Sequence, residues 1–333
     1  MGLRLGRRLD RPVGAERLAE LGLLPRECQN TARAMPDPGL ERVVTAAHSG
    51  DWRPGAEYLV ATGARWDRRT AVIEGLAGAA RRDDVWLRHW RSDRPDDPGA
   101  PAVQAKAMID LAWQIRDGER PARTERERSE GFFRLLSRAG QEIARAKELG
   151  ERDPTPYVAD IWRGIGMGRP PEEMRRVWSR TVDRDPHHLP AHRAALAYWS
   201  GQCSGSRKLA LGFAEDAAAS APPGRLISSL WLTAWLTHRE GPGDGKAYGA
   251  REVMEAVDRL HEDVTAADAD HPYLAEIRHV LAYFCVRQGR GALALEQFRL
   301  VDGYVGAFPW SEAADPAETY CAFRDLAVNM TRR

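Results

Sequence analysis

Lysine is nearly missing from this chain of 333 residues: it stands only at 106, 147, 208 and 246, and arginine carries almost all of the positive charge. Basic and acidic residues nevertheless balance, 49 against 48, for a formal net charge of +1. No unbalanced field therefore points to nucleic acid or to an anionic membrane. Cysteine is also sparse. Cys28, Cys203, Cys285 and Cys321 are scattered without a CxxC spacing, which excludes a paired-thiol metal or redox motif and predicts reduced, mostly buried thiols. Long apolar runs are absent. No stretch of about 18 uncharged apolar residues is present to span a membrane, and the N-terminal "MGLRLGRRLDRPVGAERLAELGLLPRE" lacks the run of about 7–15 apolar residues of a secretory signal. The expected location is the cytoplasm, with no membrane partner.

Strand signals are equally scarce. Few β-branched runs alternate, and no Asn-Gly or Asp-Gly turn joins two of them. What remains is helical. In "PAVQAKAMIDLAWQIRDG", Val103, Ala107, Ile109, Ala112 and Trp113 follow a 3–4 spacing that begins with Pro101 and stops at Gly118. "SEGFFRLLSRAGQEIARAKELG" carries Phe132, Leu135, Leu136, Ala139, Ile143, Ala146 and Leu149 on one stripe, with Ser129 as the expected N-cap and Gly150 as the stop. Hydrophobic residues at 43% and charged residues at 29% are ordinary for a globular chain.

Arg152-Asp153-Pro154 recurs as Arg184-Asp185-Pro186, each between helix-like segments. Prolines 154, 186, 222, 272 and 309 lie 32, 36, 50 and 37 residues apart, and a period in the thirties with paired helices is the mark of a helical solenoid. The glycine-rich "HREGPGDGKAYG" absorbs the extra length of the long interval. The predicted fold is all-α: a helical-repeat solenoid of antiparallel pairs. Residues 1–35, rich in proline and arginine, are expected to form a loosely docked N-terminal arm. Residues 36–333 form one helical domain, with N-terminal helices over 36–150 and repeats over 151–333.

"AEIRHVLAYFCVRQGRGALALEQF" resembles a tetratricopeptide repeat (TPR). Leu281 and Ala282 fit its close-packing positions, Gly289 its turn, and Ala294 and Phe298 its second helix. The unit ending at Pro186 matches with Ile161, Ile165, Met174 and Trp178, but places Trp162 where a small residue is usual. Through "SGDWRPGAEYL", "RWDRR", "DVWLRHW", "DPTPYV", "RDPHHLPAHRAALAYW", "GFAEDAAASAPPG" and "EQFRLVDGYVG", most of the chain beyond about residue 40 resembles an uncharacterised family of TPR-like proteins from high-GC bacteria. That resemblance implies a helical-repeat fold and no particular activity. After Tyr198-Trp199 the chain keeps Gly205-Ser206 of the family phrase but lacks its tryptophan.

His187, His188 and His192 crowd the start of one predicted helix. His188 and His192 are four apart, the spacing of zinc ligands on a helix. No HExxH or cysteine pair supplies further ligands, and the preceding repeat has Pro156 and Asp160 at the corresponding positions. The expectation is no metal and no cofactor. Two readings of the pair stay open: hydrogen-bonded structural histidines, or an acid–base site. Asp160, Arg193, Trp199, Trp235 and His238 are candidates for a ligand groove. The tryptophan pairs 86/90 and 231/235 are i,i+4 and read first as core, with Trp231 and Trp235 leading to His238, Arg239 and Glu240. "RGIGMG" follows a helix rather than a strand, so it reads as a helix stop and not a phosphate cradle. "SGSR", Ser204 to Arg207, lacks a nucleophile elbow, and the alternating charges of "RPARTERERSE" read as a solvated loop and helix start.

These features point first to a binding scaffold whose groove takes a partner protein or peptide, or a small molecule. The alternative is a small-molecule enzyme, or a subunit of a biosynthetic complex, using His188 and His192. Nucleic acid is not an expected partner.

Overall fold

The structure, a computed structural model, describes residues 12–118, 124–201, 205–239 and 245–331. The described residues are all-helical, with no strand; extended pairing is limited to a parallel bridge between Asn30 and Tyr304. No described helix is long and apolar enough to cross a membrane.

The chain divides into two compact units. One joins the segment before Asp37, with its short α1 (Ala15–Glu20), to everything from Leu211 onward. The other runs from Asp37 to Ala210. It contains α2 (Pro38–His48), α3 (Arg53–Thr62), α4 (Trp66–Ala80), α5 (Val85–Asp93), α6 (Gly99–Arg116), α7 (Glu125–Leu149), α8 (Thr155–Gly166), α9 (Pro171–Val182) and α10 (Leu189–Ser200). The division falls within α11 (Arg207–Ser220); α12 (Ser229–Thr237), α13 (Arg251–Ala266), α14 (Leu274–Arg287), α15 (Gly291–Val301) and α16 (Pro316–Met330) follow. The single domain expected over 36–333 is thus divided within α11, while α6 and α8 both pack on α7 and join the helices on either side of residue 150.

Within 37–210, alternate helices meet in order: α4 on α6, α6 on α8, and α8 on α10. The α4 helix also reaches α8 and α10. Its N-terminal turn carries Asp67, Arg69 and Thr70, all buried. The Asp-Pro turns repeat physically as well as in sequence. The Oδ1 of Asp97, Asp153 and Asp185 each accepts from the backbone N–H two residues on, at 2.8, 2.7 and 2.9 Å. At Asp97 and Asp153 the bonded N–H is that of the first residue of the following helix, a donor the helix itself leaves open, whereas His187 stands two residues ahead of α10. Each interval between prolines 154, 186, 222, 272 and 309 holds two α-helices.

Local signals set most helix ends. α6 stops at Arg116 ahead of Gly118, whose φ is +81°. α7 begins four residues before Ser129, because the Thr124 hydroxyl accepts from Glu127 N–H at 3.1 Å and becomes the cap. Glu125 and Glu127 in its first turn suit the positive helix end. The glycines of "RGIGMG" serve packing: a Cβ on Gly166 would lie 2.5 Å from Leu136 Cδ1. Trp86 and Trp90 are core, with Trp90 stacked on Trp52 at 5.9 Å.

Residues 12–35 depart from the expected loose arm. Backbone pairs tie Asn30 N–H to Gly303 O (2.8 Å), Val305 N–H to Asn30 O (2.7 Å) and Gly306 N–H to Arg33 O (2.8 Å). Asp302 accepts from Leu24 N–H, Gln29 and Tyr320, and buried Arg324 donates to Leu24 O and Asp325. Val13, Leu18 and Leu23 are buried beside these bonds, and the polar partners lie nearly 300 residues away, beyond the reach of any local pattern in 12–35.

In the same unit, buried Asp263 accepts four bonds from one turn: Gly224 N–H (2.7 Å), Leu226 N–H (2.9 Å), Ser228 N–H (3.2 Å) and Ser228 O–H (2.6 Å). Leu226 sits there at φ +60°, a conformation a leucine keeps only when its surroundings hold it. Asp263→Ala is expected to cost about 3 kcal/mol, since bonds to a charged acceptor are worth roughly 1.5–3 kcal/mol and buried donors are left open. Chemical denaturation checks this; a loss below about 1 kcal/mol would show that the turn does not depend on the carboxylate.

Candidate functional site

The histidine turn is built by Pro190. A proline in the first turn of α10 makes His188 the residue before the helix, with extended ψ of 102°, and His192 the first histidine inside it. Both rings turn inward, at 0% and 3% exposure. His188 Nε2 lies 2.9 Å from Thr70 Oγ1, while the Thr70 hydroxyl donates to Trp66 O at 3.0 Å. Thr70 has one proton to give, so His188 Nε2–H is the donor and Nδ1 is the bare nitrogen; Nδ1 has no partner among the described residues. His192 Nδ1–H donates to the His188 carbonyl at 3.0 Å, and its ring meets Trp178 edge-on at 4.8 Å. Asp67 Oδ1 accepts from Leu189 N–H at 3.1 Å and lies 3.9 Å from His188 Nε2.

Burial decides the charge of both rings. Complete desolvation holds His188 below its usual range, against the pull of Asp67, Asp185 and Asp153. Burial takes His192 down to about 4. Each is neutral at pH 7, and neither has the near-neutral pKa or the open approach that acid–base catalysis requires. Among the described residues no group of three His, Cys, Asp or Glu side chains could hold a metal ion.

Asp160, proposed for a groove, anchors a second constellation. Its carboxylate pairs with Lys147 Nζ at 2.5 Å and with Arg169 Nη2 at 2.6 Å, and its carbonyl accepts from Arg169 Nη1 at 3.2 Å. Burial works to raise the Asp160 carboxyl, but the charges and hydrogen bonds of Lys147 and Arg169 outweigh it and hold the group below the usual carboxylate range. Burial lowers the Lys147 ammonium, and Asp160 opposes that shift. The Tyr157 ring lies under Lys147 Nζ at 4.0 Å and under the Arg184 guanidinium at 4.5 Å. These groups lock α7, α8 and the turn after α8 together. No periodicity could have found Lys147 or Arg169 as partners, since they stand on neighbouring elements.

Arg193 and Trp199 are half-buried on α10, and the exposed Arg175 guanidinium of α9 covers the Trp199 ring at 5.7 Å. Trp162, Trp178 and Trp199 pack on the same core of Val158, Ile161, Met174 and Tyr198, each keeping part of its ring in solvent. Trp113 lies 6.1 Å from Trp162, edge-on.

Trp235 and His238 belong to the other unit. Trp235 is core, 5.2 Å from Tyr248, and His238 is half-buried just past α12. Glu240, Cys203 and Ser204 lie outside the described residues, as does the start of "RPARTERERSE". Cys285 and Cys321 are buried thiols pushed up by desolvation to about 12 and about 11, whereas Cys28 is exposed. Among the described residues of this unit, clefts are present. One of about 580 Å³ lies between residues 12–26 and α16. One of about 490 Å³ is bounded by Thr233, Leu236, Tyr283, Phe308 and Glu312.

Comparison of the chain with protein-family models, with curated proteins and with solved structures gives no match.

Proposed function

We propose that the chain is a TPR-like helical-repeat binding protein, akin to the proteins it resembles, that offers an aromatic face of its 37–210 unit to a partner protein or peptide. One observation carries this reading. Of the eleven tryptophans, Trp52, Trp86, Trp90, Trp231, Trp235 and Trp310 are buried, while Trp66, Trp113, Trp162, Trp178 and Trp199 are half-exposed, and all five of these lie in 37–210. A large ring held rigid with one face wet binds a partner at little entropic cost, and Trp and Arg are the residues most enriched at interface centres. Four of the five stand on α6, α8, α9 and α10, with Arg116 over Trp113 and Arg175 over Trp199. The alternating order of helices and the helix pair in each proline interval support the repeat reading. The acid–base alternative loses support from the burial of His188 and His192.

The test is affinity purification of the full chain from its native host, with proteins and small molecules identified by mass spectrometry. A protein or peptide should be retained in near-stoichiometric amount by the wild type and by Leu300→Ser, at an exposed leucine of the other unit. Trp199→Ala and Arg175→Glu should lose most of it, a truncated interface tryptophan costing about 2 kcal/mol or more. Equal retention by all variants, or no retained polypeptide, would overturn the reading.

A further inference from the structure

On α12, Thr233 and Thr237 stand one turn apart and share a face. Each hydroxyl donates back to its own helix, Thr233 to Ser229 O and Thr237 to Thr233 O, both at 2.9 Å. A hydroxyl has one proton and two lone pairs, so what each still offers is acceptor capacity. Both residues line the cleft of about 490 Å³ in the unit that contains 211–331. The short 3₁₀ turn Trp310–Glu312 brings a third acceptor, Glu312, to the same cleft. Its carboxylate is exposed and forms no hydrogen bond or ion pair among the described residues.

The rest of the lining is apolar or aromatic. Leu236, Tyr283 and Pro309 are buried, and Phe308 is half-buried. The Tyr283 hydroxyl is committed to that of Tyr248 at 2.7 Å. No lysine, arginine or histidine lines this cleft among the described residues. The cleft beside α16 differs: its Arg26 pairs with Glu318 at 3.5 Å and its Arg324 with Asp325 at 3.1 Å, so its charges are already matched.

Sites for small molecules are concave and mostly apolar, with a few polar groups that select the ligand. Here those groups are three acceptors, one of them charged and unmatched. An ammonium is their complement, with three donors, no acceptor and a positive charge. Aromatic rings such as Tyr283 and Phe308 favour the same charge and suit an apolar body.

We propose that this cleft binds a small primary amine with an apolar body, its ammonium at Glu312 and the lone pairs of Thr233 and Thr237, its body against Leu236, Tyr283 and Phe308. The site lies wholly in the unit that contains 211–331 and goes beyond the partner-binding reading, which rests on 37–210.

Ligand-observed NMR on the full chain tests it at constant pH and ionic strength, with phenethylammonium, neutral phenethyl alcohol and anionic hydrocinnamate as probes. Phenethylammonium should bind saturably. The alcohol, with the same body and no charge, should bind about fivefold more weakly or less, the scale of one solvent-exposed ion pair, and hydrocinnamate more weakly still. Glu312→Gln, at an exposed position that leaves the core intact, should bring phenethylammonium down to the level of the alcohol and leave the alcohol where it was. Thr233→Val keeps the shape, removes an acceptor, and should weaken the ammonium more than the alcohol. Trp199→Ala should leave every titration unchanged, which separates this result from the partner-binding reading. No saturable binding of phenethylammonium, equal binding of the alcohol, or undiminished binding to Glu312→Gln would overturn the amine site.

Discussion

Asp160→Ala is expected to lower the stability of the protein by about 3 kcal/mol, because it strips the shared counter-charge from two cations in a low-dielectric setting. Breaking a buried ion pair costs roughly 3–5 kcal/mol, and the lower figure applies because Lys147 keeps 22% of its side chain exposed. Arg169 loses more, since its Nη2 bond to the carboxylate has no replacement. Asp160→Asn keeps the shape and an acceptor oxygen but not the charge, and should fall between alanine and wild type. The sign of the pH dependence follows from the lowered carboxyl. Its contribution is complete above the unfolded value of about 3.9 and is lost as pH falls through the folded value. The gap between wild type and Asp160→Asn in urea denaturation should therefore be constant from about pH 5 to 7 and shrink below about pH 4. A gap that widens on acidification would show that the carboxylate is not the stabilising form.

Moderate acid should destabilise the protein before its carboxylates titrate. His192 and His279 have folded values of about 4, set by burial, while the unfolded chain returns them to about 6.5. Below 6.5 the unfolded state binds the protons, so stability falls with pH and keeps falling until the folded value is reached. Each ring should cost about 2 kcal/mol at pH 5, and His188 adds to the loss with the same sign. His279 is held on both nitrogens: Nε2–H donates to Tyr304 O at 3.0 Å, and Nδ1 accepts from Trp310 Nε1–H at 3.0 Å. A proton on Nδ1 would break the Trp310 bond in the core. His279→Gln should lower stability at pH 7 yet flatten the decline between pH 6.5 and 5. A decline as steep as that of the wild type would place the acid sensitivity elsewhere.

The sequence displayed its helices because their signals are local. Glycine ends α6, and the Asp153-Pro154 pair opens α8 through a bond two residues long. Ser129 looked like a cap because it precedes the apolar stripe, but α7 starts as soon as a hydroxyl can cap it, at Thr124. The histidine spacing was legible and its meaning was not. Four residues apart is right for a metal-binding face, yet the ring of His188 is committed to Thr70, 118 positions earlier. Asp160, a groove candidate from the sequence, lies buried between Lys147 and Arg169, which reach it only through packing. Trp235, also a groove candidate from the sequence, lies in the core 5.2 Å from Tyr248.

The histidine turn is a neutral, buried framework. Heteronuclear NMR of the imidazole rings tests this directly by reading the tautomer and pKa of His188 and His192. The structure predicts an Nε2–H tautomer for His188, an Nδ1–H tautomer for His192, and no titration of either ring between pH 6 and 8, with His192 protonating near 4. A midpoint near neutrality for either ring would contradict the account and return the pair to the role of general acid or base.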